Sequence, residues 1–506
     1  MGEPTKKRLS REEIAKLEIG HTEVSRGQQW ALTVFFLALI VVYPLVQCCA
    51  RQPFAEWRDA GTLQASIKAY ETAIEDSSLL RQWLLAPAQR FLTGVLDTGN
   101  EKAIVGADGW LFFSGDYDYL VNPGFLRPEV LHKRLLKGAQ PDPARAILDF
   151  HRQLQDRGIR LLLLPVPVKP MLYADKLGGD PAPLQNPSFV EFKKRMEADG
   201  IAVIDLVEGF AAMRADGREP YLKTDTHWTP LAMQLAAKKI AKALRGDVAS
   251  PAPETIPATN LGDIAAMLRL PHCERYFPAE TVAVADYRCP PRRESEYLLL
   301  GDSFANIYSL KAMNWGENGG LAEALGAYLG APVDAILRND AGAHATRQLL
   351  AQELKRGRDR LAGKKAVVYE FAIRELANGD WKMLDLTLGA APETKLLAIA
   401  APRTVTATVL AASPVPRPGS APYKDHVMSL HLGDIDGAPG VETLAYVVSM
   451  RDNVWTDAPR LRVGDVVKIR LEPWAAREAE FGSWNRSELD DENLLLAEPA
   501  FGTLTK

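Results

Sequence analysis

The chain has 506 residues, room for about three domains at roughly 100–200 residues each. With 47% apolar and 25% charged residues and ordinary Gly and Pro content, the composition is globular and excludes a disordered or collagen-like chain. The 60 basic and 64 acidic residues leave a net charge of -4, with no global positive field for nucleic acid, and four cysteines exclude a disulfide scaffold or zinc-ribbon array.

Residues 1–29 carry Lys6, Lys7, Arg8, Arg11, Lys16 and Arg26. From Trp30 to Val46 the chain reads WALTVFFLALIVVYPLV without a charge, and the uncharged stretch continues to Ala50. About 20 apolar residues cross a bilayer core, so the sequence predicts a transmembrane helix over 30–50, with Trp30 and Tyr43 at the interfaces. A cleaved signal peptide fits less well, because 29 residues precede the apolar run and Gln47-Cys48-Cys49 is a poor cleavage site. Only Arg51 and Arg58 follow closely, so the positive-inside rule makes 1–29 a cytoplasmic tail and exports the rest.

Residues 51–98 have few turn residues and recurrent Leu, Ile and Ala, which predicts a helical stalk. From 99 to 389, strands and helices alternate. Ile159–Val168, Ile201–Ile204, Tyr297–Leu300, Val333–Leu337 and Ala366–Tyr369 are short apolar runs, with helical segments such as 345–361 between them. Near-continuous apolar strands joined by helices predict an α/β domain, a parallel sheet covered on both faces. Ligands then bind beyond the carboxyl ends of the strands. After about 390 the chain turns to short strands, Thr404–Val409, Val427–Leu430, Leu444–Met450 and Val466–Leu471, separated by Pro, Gly and Asp. This predicts a small all-β module over 390–506. Its Tyr423, Trp455, Trp474 and Trp484 would stack on sugars if exposed, or form its core if buried. Cys273 and Cys289 lie 16 residues apart and would form a disulfide in an oxidising compartment, or sit as two small buried residues.

Two stretches carry chemistry. In Leu299-Leu300-Gly301-Asp302-Ser303-Phe304 a serine follows an apolar strand on a Gly-containing turn. That places its hydroxyl and backbone N–H at the sheet's carboxyl edge, where a helix cap is the plainer role. In Thr224-Asp225-Thr226-His227-Trp228-Thr229-Pro230, Asp and His two residues apart allow the carboxylate to hold Nδ1 while Nε2 faces a serine. The plainer role there is capping of the helix that begins at Pro230. No Cys-x-x-Cys, His-Glu-x-x-His or phosphate loop is present, so neither a metal nor a cofactor is expected.

Asp225-Thr226-His227-Trp228 upstream of Gly301-Asp302-Ser303-Phe304 resembles the SGNH-hydrolase-like domain of polysaccharide O-acetyltransferases of the AlgJ/AlgX type. Gly106-Ala107-Asp108-Gly109-Trp110-Leu111-Phe112, Pro165-Val166-Pro167-Val168-Lys169 and Tyr369-Glu370-Phe371-Ala372-Ile373-Arg374-Glu375-Leu376 agree, so the likeness spans about 99–385. The resemblance implies a serine-nucleophile O-acyltransferase acting in the bacterial periplasm on alginate or a related exopolysaccharide. It implies a triad of Ser303, His227 and Asp225, and an acetyl supply from a multi-span membrane acyltransferase. Ordinary SGNH esterases carry Asp-x-x-His after the serine, so the order here is permuted. Their Gly and Asn oxyanion donors have no clear match. Asn339 or a nearby N–H would serve, and Arg374 would either act electrostatically or pair with Glu370 or Glu375. Tyr308, five residues after Ser303, is a substrate candidate for which packing is the favoured role. Two rival readings remain: a carbohydrate acetyl-esterase with the same triad, and a non-catalytic polysaccharide-binding subunit.

Overall fold

The computed structural model describes residues 25–49 and 78–505, apart from 340–341, 343, 391–395, 419–422, 483, 490, 492–493 and 495–496, together with 63, 67, 70, 71 and 74. The chain divides into two compact units, Met1–Ala88 and Gln89–Lys506.

In the first unit, Arg26–Cys49 is a helix of 24 residues. Ser25 and Gln28 form its capping box, Oγ accepting from Gln28 N–H at 3.3 Å and Gln28 Oε1 from Ser25 N–H at 2.8 Å. Its apolar side chains, Trp30 and Phe35 among them, are exposed. Among the described residues, no helix is long and apolar enough to cross a membrane. The side chains of Tyr43, Pro44, Gln47 and Cys48 lie outside that description, so the expected span remains a reading of the sequence. Most of the expected cytoplasmic tail and the first part of the expected stalk also lie outside the described residues. In the last part of the expected stalk, Leu79–Leu96, which runs from the first unit into the second, is helical with Pro87 inside.

The second unit opens with an antiparallel pair, β1 (Ala103–Val105) and β2 (Leu111–Phe113). β3 (Arg160–Val166) and β4 (Ala202–Val203) follow, then a hairpin of β5 (Glu254–Asn260) and β6 (Glu280–Asp286). β7 (Tyr297–Gly301), β8 (Asp334–Leu337) and β9 (Ala366–Ala372) complete a five-stranded parallel sheet of order β4-β3-β9-β7-β8. Alternate residues serve opposite faces. Leu162, Leu164, Leu299 and Val368 join Trp228, Ala236 and Ile240 on one side. Leu161, Leu163, Leu298, Leu300 and Val367 join Ile147, Phe150, Leu154, Leu350 and Leu354 on the other. Burial on both faces is why these strands lack polar alternation. The expected helix 345–361 ends at Lys355, because Gly357 at φ 77 turns the chain.

β10 (Arg403–Ala412), β11 (His426–Gly433), β12 (Thr443–Arg451), β13 (Val454–Trp455), β14 (Val466–Pro473), β15 (Arg486–Ser487) and β16 (Ala500–Leu504) form the C-terminal sheet. Its order is β13-β12-β16-β14-β10-β11-β15, and β11 also pairs with β12. That extra pairing closes five strands into a barrel around Val405, Val409, Leu430, Val447 and Ile469. Trp474 belongs to a buried aromatic cluster with Tyr446, Phe481 and Phe501. Cys273 and Cys289 are both free, which removes the disulfide alternative; buried Cys273 directs its thiol to the Ala265 carbonyl at 3.4 Å.

Candidate active site

β7 ends at Gly301, where a Cβ would come within 2.7 Å of Ala305 Cβ and 2.9 Å of Glu370 Oε2. Asp302 then turns the chain. Its Oδ1 accepts Phe304 N–H and its Oδ2 accepts Ala372 N–H, both at 2.8 Å, which ties the turn to the end of β9. Ser303 follows at the carboxyl edge of the sheet, as the strand pattern requires.

The histidine segment is held as firmly. Tyr221 and Trp228 form a bridge around the turn, and Glu280 accepts Lys223 N–H, Thr224 N–H and the Thr224 hydroxyl at 2.8–2.9 Å. Thr229 caps the helix Pro230–Arg245, so the plainer role expected of this segment is filled by a neighbour of the histidine. Trp228 is buried, and its Nε1–H donates to the Phe304 carbonyl at 3.0 Å, which fixes the two segments against each other. Tyr308 donates its hydroxyl to the Trp228 carbonyl at 2.6 Å and is fully buried, so it packs rather than meeting substrate.

These constraints bring Ser303, His227 and Asp225 into line. Ser303 Oγ lies 2.9 Å from His227 Nε2, and His227 Nδ1 lies 2.6 Å from Asp225 Oδ1. A carboxylate only accepts, so Nδ1 carries a proton and Nε2 is left to accept from the serine. Asp225 also accepts His227 N–H at 3.1 Å, Trp315 Nε1–H at 3.0 Å and Asp263 N–H at 3.1 Å. Burial disfavours its charge, but His227 and these donors outweigh that and hold the carboxyl well below its ordinary range. Burial likewise disfavours the imidazolium, yet the Asp225 charge and hydrogen bond, with Asp263 and Asp302 adding, raise the His227 pKa.

The sequence reading missed three residues here. Trp315 and Asp263 reach Asp225 from 90 and 38 residues away. Thr226 donates N–H and hydroxyl to Asp263 at 2.6 and 2.9 Å; burial first, then the Asp225 charge, pushes Asp263 up to about 6. Asp225, His227 and Asp263 offer atoms within 4.8 Å of one another, a spacing a metal could use, but each is already engaged in these hydrogen bonds. The third is Asp116, the partner of Arg374 at 2.8 Å. The pairing expected for Arg374 with Glu370 is absent among the described ion pairs, and Glu375 is 4.0 Å away. Lys169 is fully buried, its Nζ donating to the carbonyls of Leu111 at 2.8 Å and Lys223 at 3.1 Å; burial lowers its pKa to about 8. It braces the segment leading into Thr224-Asp225.

Ser303 and His227 open into a cavity of about 320 Å³. Asn339 and Arg374 also line it, and Tyr423, Lys424 and Trp484 reach it from the C-terminal part. Asn339 accepts from Asn306 at 3.1 Å and directs Nδ2 at Met313 Sδ, 3.4 Å away, a weak acceptor readily exchanged for oxygen.

A family model described as an SGNH hydrolase-like domain, acetyltransferase AlgX, matches residues 103–373. The probable alginate O-acetylase AlgJ of Pseudomonas fluorescens is 30% identical over 152 residues, 30% of this chain and 35% of that protein. Its Pseudomonas aeruginosa counterpart is 31% identical over 148 residues, 29% of this chain and 34% of that protein. The match thus spans about a third of the length of these curated relatives. The O-acetyltransferase domain of Pseudomonas putida AlgJ aligns with a TM-score of 0.40 at 21% identity, covering 54% of this chain and 92% of that one. Pseudomonas aeruginosa AlgX aligns with a TM-score of 0.34 at 15% identity, covering 60% and 72%.

Proposed function

The chain belongs to the family of SGNH hydrolase-like acetyltransferases of the AlgX type, and we propose that it moves acetyl groups through Ser303 to hydroxyls of an exopolysaccharide. The observation that carries this is the Ser303–His227–Asp225 line, 2.9 and 2.6 Å between partners, opening into a cavity large enough for a sugar.

His227 Nε2 takes the Ser303 proton as Oγ attacks the acetyl carbonyl. The oxyanion collapses, the donor's leaving group departs with the proton from His227, and an acetyl-serine remains. A sugar hydroxyl then gives its proton to His227 and attacks the acetyl-serine. Collapse of that second oxyanion breaks the Oγ–acyl bond, and Ser303 recovers the proton. Asp225 holds the ring in the required tautomer and stabilises the imidazolium formed in both halves. Ser303 N–H and Asn339 Nδ2–H are the donors assigned to the oxyanion. Arg374, held by Asp116, contributes a fixed positive charge at the cavity wall.

The curated relatives are named for alginate acetylation, which supports alginate or a related exopolysaccharide as acceptor. The charge-free 30–50 stretch and the basic flank before it support a single-pass anchor in the bacterial inner membrane, with the catalytic part in the periplasm. A single span makes no route for an acetyl donor, so a multi-span membrane acyltransferase would supply the acetyl group. The test is incubation of the full chain with a chromogenic acetyl ester, with and without oligosaccharides of several units. Mass spectrometry should find acetyl gained by the sugar, dependent on Ser303. If the sugar never gains acetyl and the ester is only hydrolysed, an esterase replaces this reading.

A further inference from the structure

In a helix at the surface of a water-soluble domain, apolar residues face the core and polar ones face water. Leu79–Leu96 begins with a buried Leu79, but around Gln89 and Thr93 it is built the other way round. Gln89 and Thr93 are buried, Gln89 Nε2 donating to Thr93 Oγ1 at 2.9 Å and Thr93 Oγ1 donating to the Thr98 carbonyl at 3.2 Å. The outward side carries Leu84, Ala88, Phe91 and Val95, an i, i+4, i+7, i+11 stripe. Leu84, Phe91 and Val95 are 54%, 55% and 66% exposed, and Trp83 and Leu96 beside the stripe are 61% and 53% exposed.

Three features of the sequence say what covers this stripe. The helix has no acidic residue, and its only charges are Arg81 and Arg90, which suits an anionic lipid surface. Trp83 borders the apolar face, the position favoured at a headgroup boundary. Twenty-nine residues separate the helix from Cys49, the end of the apolar helix Arg26–Cys49. A connection of that length reaches at most ~100 Å, so an anchored chain can lay it back on the bilayer.

We propose that Leu79–Leu96 is an interfacial helix that lies on the outer surface of the membrane, its Leu84–Ala88–Phe91–Val95 stripe inserted among the lipids. The proposal rests on the anchored reading above. It gives the chain a second lipid contact besides the Arg26–Cys49 helix.

The test uses the full chain in liposomes of phosphatidylethanolamine and phosphatidylglycerol. Cys48, Cys49, Cys273 and Cys289 are changed to Ser, and a single cysteine at Phe91→Cys, Val95→Cys or, as control, Glu197→Cys carries an environment-sensitive fluorophore. Lipids brominated at shallow chain positions should quench the labels at 91 and 95 severalfold more than the label at 197. Equal quenching at 91 and 197 in a chain that floats with the liposomes overturns the interfacial helix and leaves the anchor standing. A blue shift at 91 without bromine quenching also overturns it, and shows that a second copy of the chain covers the stripe. A chain that does not float removes the anchor and this proposal together.

Discussion

Glu370 Oε2 accepts the backbone N–H of Asp302 at 2.8 Å, one residue before Ser303, from a carboxyl that is 1% exposed. Burial, and then the Asp302 charge beside it, pushes the Glu370 pKa well above the carboxylate range, which favours the neutral acid. Its other oxygen is buried and has no hydrogen-bond partner among the described residues. On the proposed mechanism it would position the turn without placing a second negative charge behind the serine, where the oxyanion would form.

Glu370→Gln keeps a neutral acceptor of the same shape, and its kcat should stay within a few-fold of the parent. Glu370→Ala leaves the Asp302 N–H buried and unpaired, a loss of about 1–3 kcal/mol, or roughly 5- to 150-fold if it falls on the turn that presents Ser303. Kinetics on a small acetyl ester, with circular dichroism to show retained fold, would check both. Equal losses in the two variants would mean that the ionised carboxylate is the working form.

The pH dependence follows from His227. The ring serves as base only when neutral, and its pKa is raised above 6.5. Acyl transfer should therefore fall as pH drops through a value above 6.5, and the acid limb belongs to His227. Burial alone would lower that pKa, and the Asp225 charge is what reverses it. Asp225→Asn should move the limb to lower pH while cutting kcat by roughly 10³–10⁴, because the amide no longer selects the tautomer. Asp263→Asn removes a smaller positive contribution, so its limb should shift the same way with little change in the plateau. A limb that stays in place in both variants would assign it to another group.

Trp315 Nε1–H donates to Asp225 Oδ2 at 3.0 Å from a side chain that is 1% exposed. Trp315→Phe keeps most of the packing volume and removes the donor. A hydrogen bond to a charged group contributes about 1.5–3 kcal/mol, so kcat should fall roughly 10- to 150-fold if the Asp225 orientation depends on it. The KM for the ester should hardly change, since Trp315 acts through Asp225. A KM effect without a kcat effect would place Trp315 in substrate binding instead.

The two halves of the Ser303–His227–Asp225 line were visible in the sequence, Asp225 and His227 on one turn and Ser303 after the apolar run that ends β7, but only the family resemblance joined them across 76 residues. The central strands were legible because burial on both faces leaves runs such as Arg160–Val166 nearly free of polar residues. The supports of the site were not. Asp116 and Arg374 meet across 258 residues, and Trp315 and Asp225 across 90, so only the fold brings them together. Barrel closure was hidden for the same reason. The pairing of β11 with β12 is local, but β12 meets β16 through a long return that no short window contains.

The C-terminal part supplies the last prediction. Tyr423, Lys424 and Trp484 stand on the wall of the cavity that holds Ser303, while Trp474 is buried in the aromatic cluster on whose Phe481 ring Trp484 packs. The sequence left open whether these aromatics face sugars or the core, and the structure divides them. An aromatic face and a cation beside the nucleophile suit a chain of sugars, whose rings stack and whose hydroxyls need holding in register. Removing Trp484 should then weaken the polymer without touching the chemistry. Trp484→Ala is expected to raise KM for an acceptor of several sugar units by roughly 10-fold, the equivalent of about 1.4 kcal/mol. Turnover of a small acetyl ester, which fits at Ser303 alone, should be unchanged. The readout is a comparison of the two substrates on one enzyme preparation. A matched loss on both would mean that Trp484 holds the site together rather than the acceptor, and the groove would have to run elsewhere from Ser303.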